Sequence, residues 1–187
     1  MPQLNQEITD EQLMLAVKAG QLQQSAILFE RYHRRLFAFF AHNLADREAA
    51  HDLTQQLFLR LLKYRGSYKA DSPVQAWLFK IARNLLTDHY RRNRLRVSSY
   101  TTPEALSDTL AEVPDDEAHQ QEQLLQQAMA CLAPPERELL VMSRYQQMKY
   151  EQIAEATGLT VANIKVKVHR SIQKLRKHYF ALAKAQD

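Results

Sequence analysis

Between Ser72 and Arg96 the chain reads SPVQAWLFKIARNLLTDHYRRNRLR. One side of this stretch gathers Lys80, Arg83, Asn84, Asp88 and Arg91, and Arg92, Arg94 and Arg96 close the run. Guanidinium and ammonium groups beside amides and Tyr90 hold anions; amide side chains can also hydrogen-bond base edges. Nucleic-acid binding is one reading of the set. A solvated face on an ordinary core helix is the other, because a basic patch is only an electrostatic footprint. A second set follows Thr160: Asn163, Lys165, Lys167, His169, Arg170 and Lys174, with Arg176 and Lys177 beyond. On the outward face of a helix these residues would suit base edges and phosphates in a major groove.

Other candidate groups do not assemble. His33, His42 and His51 recur every nine residues, a step that puts successive histidines on opposite helix faces, and the helix breaks between them, so they form no ligand cluster. No Cys or His pair has zinc spacing, and there is no P-loop glycine run and no G-x-S-x-G. No catalytic residue, metal ligand or cofactor is expected. Cys131, the single cysteine, excludes an internal disulfide framework, suits a reducing cytoplasm, and reads as a small core residue.

The elements that must carry these residues are helical. Three Gly and six Pro in 187 residues, with much Leu, Ala, Gln and Arg, predict an all-α chain. Thr9 with Gln12 forms a capping box and Gly20 a stop. A second helix covers about Leu22 to Asn43, and Asp46 caps a third that reaches about Tyr64. Arg65 to Asp71 is a loop with Gly66 as its breaker. Ser72, Pro73 and Gln75 mark the next helix start, with Ser72 as cap, Pro73 at the first position and Gln75 completing the box. Trp77, Leu78, Ile81, Leu85 and Leu86 form its apolar face; Trp77 could stack on DNA, but its place on that face favours core packing. After a break at Pro134 and Pro135, three shorter helices follow a helix from about Asp116 to Leu132.

Charge divides the chain. Residues 25–96 carry fourteen Lys or Arg against six acids, residues 97–122 carry seven acids and no cation, and residues 123–187 carry ten cations against five acids. Two basic helical domains, 1–96 and 118–187, joined by an extended acidic linker at 97–117, account for this distribution. The linker reads as a solvated tether or as a segment that lies in a partner's cationic channel. No apolar run approaches the ~20 residues that span a bilayer. The polar N-terminus is not a secretory signal, so a cytoplasmic protein without membrane insertion is expected.

Within YEQIAEATGLTVANIKVKVHRSIQKLRK, Ala154, Gly158 and Ile164 fall at helix-turn-helix spacing. A small residue lets the helices approach, a glycine takes the turn, and an apolar residue closes the core. Thr160 can cap the second helix.

Two blocks in this order resemble bacterial RNA polymerase sigma factors of the extracytoplasmic-function (ECF) group in the sigma-70 family. DLTQQLFLRLLKY, RGSYKADSP and AWLFKIARNLLTDHYRR are similar to region two. LAPPERELLVMSRYQQMKYEQIAEATGLTVANIKVKVHRSIQKLRK is similar to region four. The resemblance implies a non-enzymatic subunit that binds core RNA polymerase, directs it to promoter DNA and nucleates melting. It implies that the face around Asp52, Gln55, Gln56 and Phe58 meets the clamp helices of the largest subunit. It implies that Tyr68, Lys69 and the loop to Ser72, with Lys80, Arg83, Asn84, Arg91 and Arg92, hold the melted minus-ten strand. The helix carrying Thr160, Asn163, Lys165, Lys167, His169, Arg170 and Lys174 would read the minus-thirty-five duplex, and its domain would dock on the flap of the second-largest subunit. The linker would run through the polymerase channel, and an anti-sigma factor would be a further partner. Two positions depart from many members: Gln56 replaces an acid, and Val166-Lys167-Val168 replaces Ser-Arg-Leu.

Overall fold

The computed structural model describes residues 8–44, 46–99 and 117–185, with side chains from 94 to 99 and 117 to 119 left aside. Eight α-helices cover them: α1 (Asp10–Lys18), α2 (Ser25–Asn43), α3 (Arg47–Tyr64), α4 (Val74–Ser99), α5 (Glu117–Ala130), α6 (Pro134–Leu140), α7 (Tyr150–Thr157) and α8 (Val161–Ala183). No strand occurs among the described residues. The all-α fold of two helical halves is as expected. The segment between α4 and α5, which holds most of the acidic linker, lies outside the described residues.

Local chemistry sets most boundaries. Thr9 and Gln12 form the reciprocal capping box of α1, and the Asp46 carboxylate accepts from Ala49 N–H to start α3. Gly20 has φ of 103° and Gly158 has φ of 73°, both in the left-handed region where a Cβ is strained. Gly66 is different: it sits in a short 3-10 turn, Arg65–Ser67, with no positive φ and open space around it. Hydrogen bonding of that turn, not glycine freedom, stops α3. The last helix is long rather than short, at 23 residues. Helix α6 runs into a π-helical turn, Val141–Tyr145, where Gln146 N–H donates to the Val141 carbonyl.

The start of α4 departs from the sequence reading. Ser72 does not cap it; its hydroxyl donates to Glu155 of α7. Pro73 lies one position earlier than expected, its carbonyl accepting the first helical bond from Trp77 N–H. The Val74 N–H donates to the Glu11 carboxylate of α1 at 3.2 Å, an anion placed where the helix dipole favours one. Gln75 turns to α7 and accepts from Gln152. Tertiary partners have displaced the local capping box.

Leu78, Phe79, Ile81, Ala82, Leu85 and Leu86 of α4 are buried against α1, α2 and α3. In the second half Ile153, Ile164 and Val168 close the helix-turn-helix, with Ile164 fully buried. The core is continuous across both halves, because α7 packs on α4 and the π-helical turn packs on α2. Cys131 is exposed rather than in the core, since α5 ends one residue before it.

The glycine geometry gives a paired test. Gly158→Ala forces a Cβ into the left-handed region and should destabilise by about 1–2 kcal/mol, whereas Gly66→Ala should be neutral or stabilising by up to about 1 kcal/mol. Urea unfolding monitored by circular dichroism reads both.

Candidate nucleic-acid interface

The loop before α4 is pinned from inside. Tyr68 is fully buried, its hydroxyl donates to the Ser72 carbonyl at 2.6 Å, and its own carbonyl accepts from Lys18 Nζ at 2.6 Å. Burial pushes its phenol up to about 12. Tyr68 therefore cannot offer a ring face to a base in this arrangement; its place among the strand-holding residues is corrected to a structural one. The reason is packing: its ring meets Trp77 edge-on with centroids 5.5 Å apart, beneath the surface.

Above that floor lies an open cleft of about 710 Å³. Lys69, Ser72, Lys80 and Asn84 line it, together with Tyr64 and Trp77. The structure thus unites four of the expected residues. Trp77 is half-buried and serves both as core and as cleft wall. Tyr64 is 46% exposed and was missed in the sequence, where it read only as the end of α3. Aromatic walls, the Asn84 amide and two lysines suit an unstacked base and its phosphate. Glu155 of α7 intrudes at the edge.

Arg83, Arg91 and Arg92 do not join that cleft. Arg83 turns to the second half, pairing with Glu138 of α6 and donating to the Ala156 carbonyl at 3.1 Å. Arg91 reaches the Asp88 carboxylate at 3.3 Å, and Arg92 the Asp88 carbonyl at 3.4 Å, farther along α4. Tyr90 donates to the Asn43 carbonyl at 2.6 Å and is structural. Burial pushes the Glu138 carboxyl up from its ordinary value, and the Arg83 guanidinium offsets only part of that.

The seven candidates at α8 are all exposed, with the Thr160 hydroxyl engaged in capping Asn163 N–H. They do not share one face. At about 100° per residue, Asn163, Lys167, Arg170 and Lys174 form one flank beside the buried seam, and Lys165 and His169 form the other. Lys167, Arg170 and Lys174 of the first flank line a cleft of about 500 Å³ that they share with Arg83 and α6. Lys174 pairs with Glu136 there and holds its carboxyl below the usual range.

On α3, Asp52, Gln55 and Gln56 are exposed, while Phe58 is half-buried with its ring 4.7 Å from that of Phe29. Leu59, 67% exposed, and Phe29, 44% exposed, extend this face. Leu22, Phe29, Phe58 and Leu62 line an apolar groove of about 360 Å³ beside it. Leu59 was missed because period alone does not separate an apolar residue at the edge of a seam from one inside it. Among the described residues no cluster of His, Cys, Asp or Glu could hold a metal. None of their helices is long and apolar enough to cross a membrane.

Comparison with known proteins decides what this arrangement belongs to. Sigma-70 region 2 matches residues 28–96, and Sigma-70 region 4 matches residues 122–175. RNA polymerase sigma factor CarQ of Myxococcus xanthus is 30% identical over 149 residues, covering 80% of this chain and 85% of CarQ. ECF RNA polymerase sigma factor EcfG of Rhodopseudomonas palustris is 34% identical over 141 residues, covering 75% and 76%. The chain belongs to the ECF group of sigma-70 factors. Its function is that of a sigma factor: it binds core RNA polymerase, directs it to promoters and nucleates promoter melting. Such factors are non-enzymatic initiation subunits.

Solved structures share the sigma-factor fold. CnrH in complex with the cytosolic domain of CnrY aligns with a TM-score of 0.68 at 21% identity, covering 95% of this chain and 99% of that one. RpoE in complex with the anti-sigma factor NepR from Bartonella quintana aligns with a TM-score of 0.67 at 22% identity, covering 84% and 96%.

The sigma factor also carries a titratable contact between its halves. His42 of α2 lies against Tyr145 of the π-helical turn with ring centroids 4.1 Å apart. Burial lowers its pKa, and Glu122 of α5 opposes that in part. A histidine depressed in the folded state binds its proton more readily when unfolded, so its contribution is present above about pH 6.5 and lost as pH falls through the lowered folded value. His42→Gln should reduce the drop in thermal midpoint between pH 7 and pH 5.5 relative to wild type. Calorimetry at the two pH values measures the difference.

Proposed function

We propose that the cleft bounded by Tyr64, Trp77, Lys80 and Asn84 captures an unstacked base of the non-template minus-ten strand, and that α8 reads the minus-thirty-five element as duplex. The carrying observation is the cleft itself. It places two exposed or half-exposed aromatic rings, one primary amide and two cations around a single open volume within the part of the chain that matches region 2. Rings accept any base face, an amide reads a base edge, and lysines meet the backbone. Asn163, Lys167 and Arg170 supply amide and cationic groups to a major groove, while Lys165 and His169 on the other flank suit the adjacent phosphates. Arg91 and Arg92 extend the basic track along α4.

Exposed Asp52, Gln55 and Gln56 with Leu59 and the Phe29–Phe58 pair form the face we assign to the clamp helices of the polymerase largest subunit. An apolar centre with a polar rim is the ordinary anatomy of such a contact. The domain carrying α8 would dock on the flap of the second-largest subunit, and the acidic linker would follow the cationic channel. Two relatives of the same fold were solved with an inhibitory partner or a cytosolic domain bound, which supports an anti-sigma factor as a partner here.

Run-off transcription with core polymerase on a genomic promoter library tests the whole reading: defined start sites should appear only when the chain is added. A chain that bound an operator tightly without polymerase, and did not alter polymerase selectivity, would instead be a conventional helix-turn-helix regulator. Asn84→Ala should slow formation of the open complex with little change in closed-complex binding; an equal loss in both steps would remove Asn84 from base capture. Leu59→Asp should weaken core-polymerase affinity at least about tenfold, or about 1.4 kcal/mol, without lowering the unfolding midpoint. Fluorescence anisotropy of the labelled chain against core polymerase measures the first and thermal unfolding the second.

A further inference from the structure

Helix α1 lends no side chain to the base cleft, yet it grips both ends of the loop that forms the cleft rim. Lys18 Nζ donates to the Tyr68 carbonyl at 2.6 Å, and the Glu11 carboxylate accepts from Val74 N–H at 3.2 Å. The two side chains are seven residues apart, about two turns and about 10 Å along the helix axis, so they project from one face. Met14 lies between them and is fully buried. Between the two anchored backbone groups stand Lys69 and Ser72, which line the cleft. Tyr68 closes the loop from within through its bond to the Ser72 carbonyl, and its ring meets Trp77, the single tryptophan, at the cleft wall. Helix α1 is itself tied down. Arg31 of α2 donates to Asp10 at 2.6 Å and to the Ile8 carbonyl at 3.0 Å, and the Tyr32 hydroxyl donates to the other Asp10 oxygen.

We infer that α1 is a brace for base capture, with Lys18 and Glu11 as positioning residues that set Lys69 and Ser72 against Trp77 and Asn84. The inference rests on the reading of the cleft as the base site and adds what holds its shape. A site receives its ligand only if its walls and polar groups stand within about 0.5 Å of the productive geometry. Residues 69–73 belong to no helix. Apart from their own turn bond, Ser72 N–H to the Lys69 carbonyl at 3.1 Å, they take their position from the two ends. Both anchors are charge-assisted hydrogen bonds, roughly twice as strong as neutral ones, and Glu11 also meets the positive end of the α4 dipole. What Lys18 supplies is a charged donor at the end of a long stem. A guanidinium can replace it and a thioether cannot.

Lys18→Met and Lys18→Arg in the full chain test it. Trp77 reads the brace directly, because a released Tyr68 no longer packs on its ring. Acrylamide quenching of its fluorescence in the free protein should rise in Lys18→Met with helical circular dichroism unchanged, and return to the wild-type value in Lys18→Arg. The second measurement uses core polymerase and a promoter found by run-off transcription. Lys18→Met should slow open-complex formation at least about fivefold, the population shift that one lost charge-assisted bond can produce. Closed-complex affinity should stay unchanged, and Lys18→Arg should restore the rate. Wild-type quenching in Lys18→Met, no recovery in Lys18→Arg, or an equal loss of closed-complex affinity overturns the brace. Raised quenching with an unchanged opening rate counts instead against the cleft as the base site, since its shape has changed and capture has not.

Discussion

Arg83 carries a charge into the seam between two helical domains, where the Glu138 carboxylate and one backbone carbonyl are its recorded partners. Charges leave water at a cost that only close partners offset. This pair acts with the apolar packing of α4 on α7 and the Gln152–Gln75 bond to hold α4 against α6 and α7. Glu138 shows the strain of it, since burial raises its carboxyl even with a guanidinium in contact. Breaking either partner leaves the other uncompensated, which is why such a contact orients two bodies more than it glues them.

The same helix serves three neighbours. Its apolar seam fills the first domain, its N-terminus is met by Glu11 of α1, and its polar side meets α7. An amphipathic helix normally leaves its polar side to water. Here that side is covered in part by another domain, at Gln75 and Arg83, while Lys80 and Asn84 stay exposed. The clefts on either side of Arg83 are where the cover is incomplete.

Tyr68 and Leu59 show how helix and loop positions hide their burial. An aromatic residue in a polar loop looks available, yet Lys18 and Ser72 draw Tyr68 inward through backbone bonds no local pattern announces. Leu59 stands between buried Leu57 and Leu61 in α3, yet it is one of the most exposed apolar side chains of the described residues. Cys131, expected in the core because it is small and apolar, is likewise outside by position.

Helical content, the caps at Thr9, Asp46 and Thr160, the turn at Gly158 and the closure by Ile164 were all legible in the residue order. So was the family, from two motif blocks in their order. Each depends on interactions within a few residues or on a period that a helix imposes by itself. The start of α4 at Val74, the inward turn of Tyr68 and Arg83, the splitting of the α8 cations onto two flanks, and the meeting of the two domains were decided by tertiary structure. These depend on which distant carboxylate, carbonyl or ring arrives at a given atom, and no local spacing encodes that.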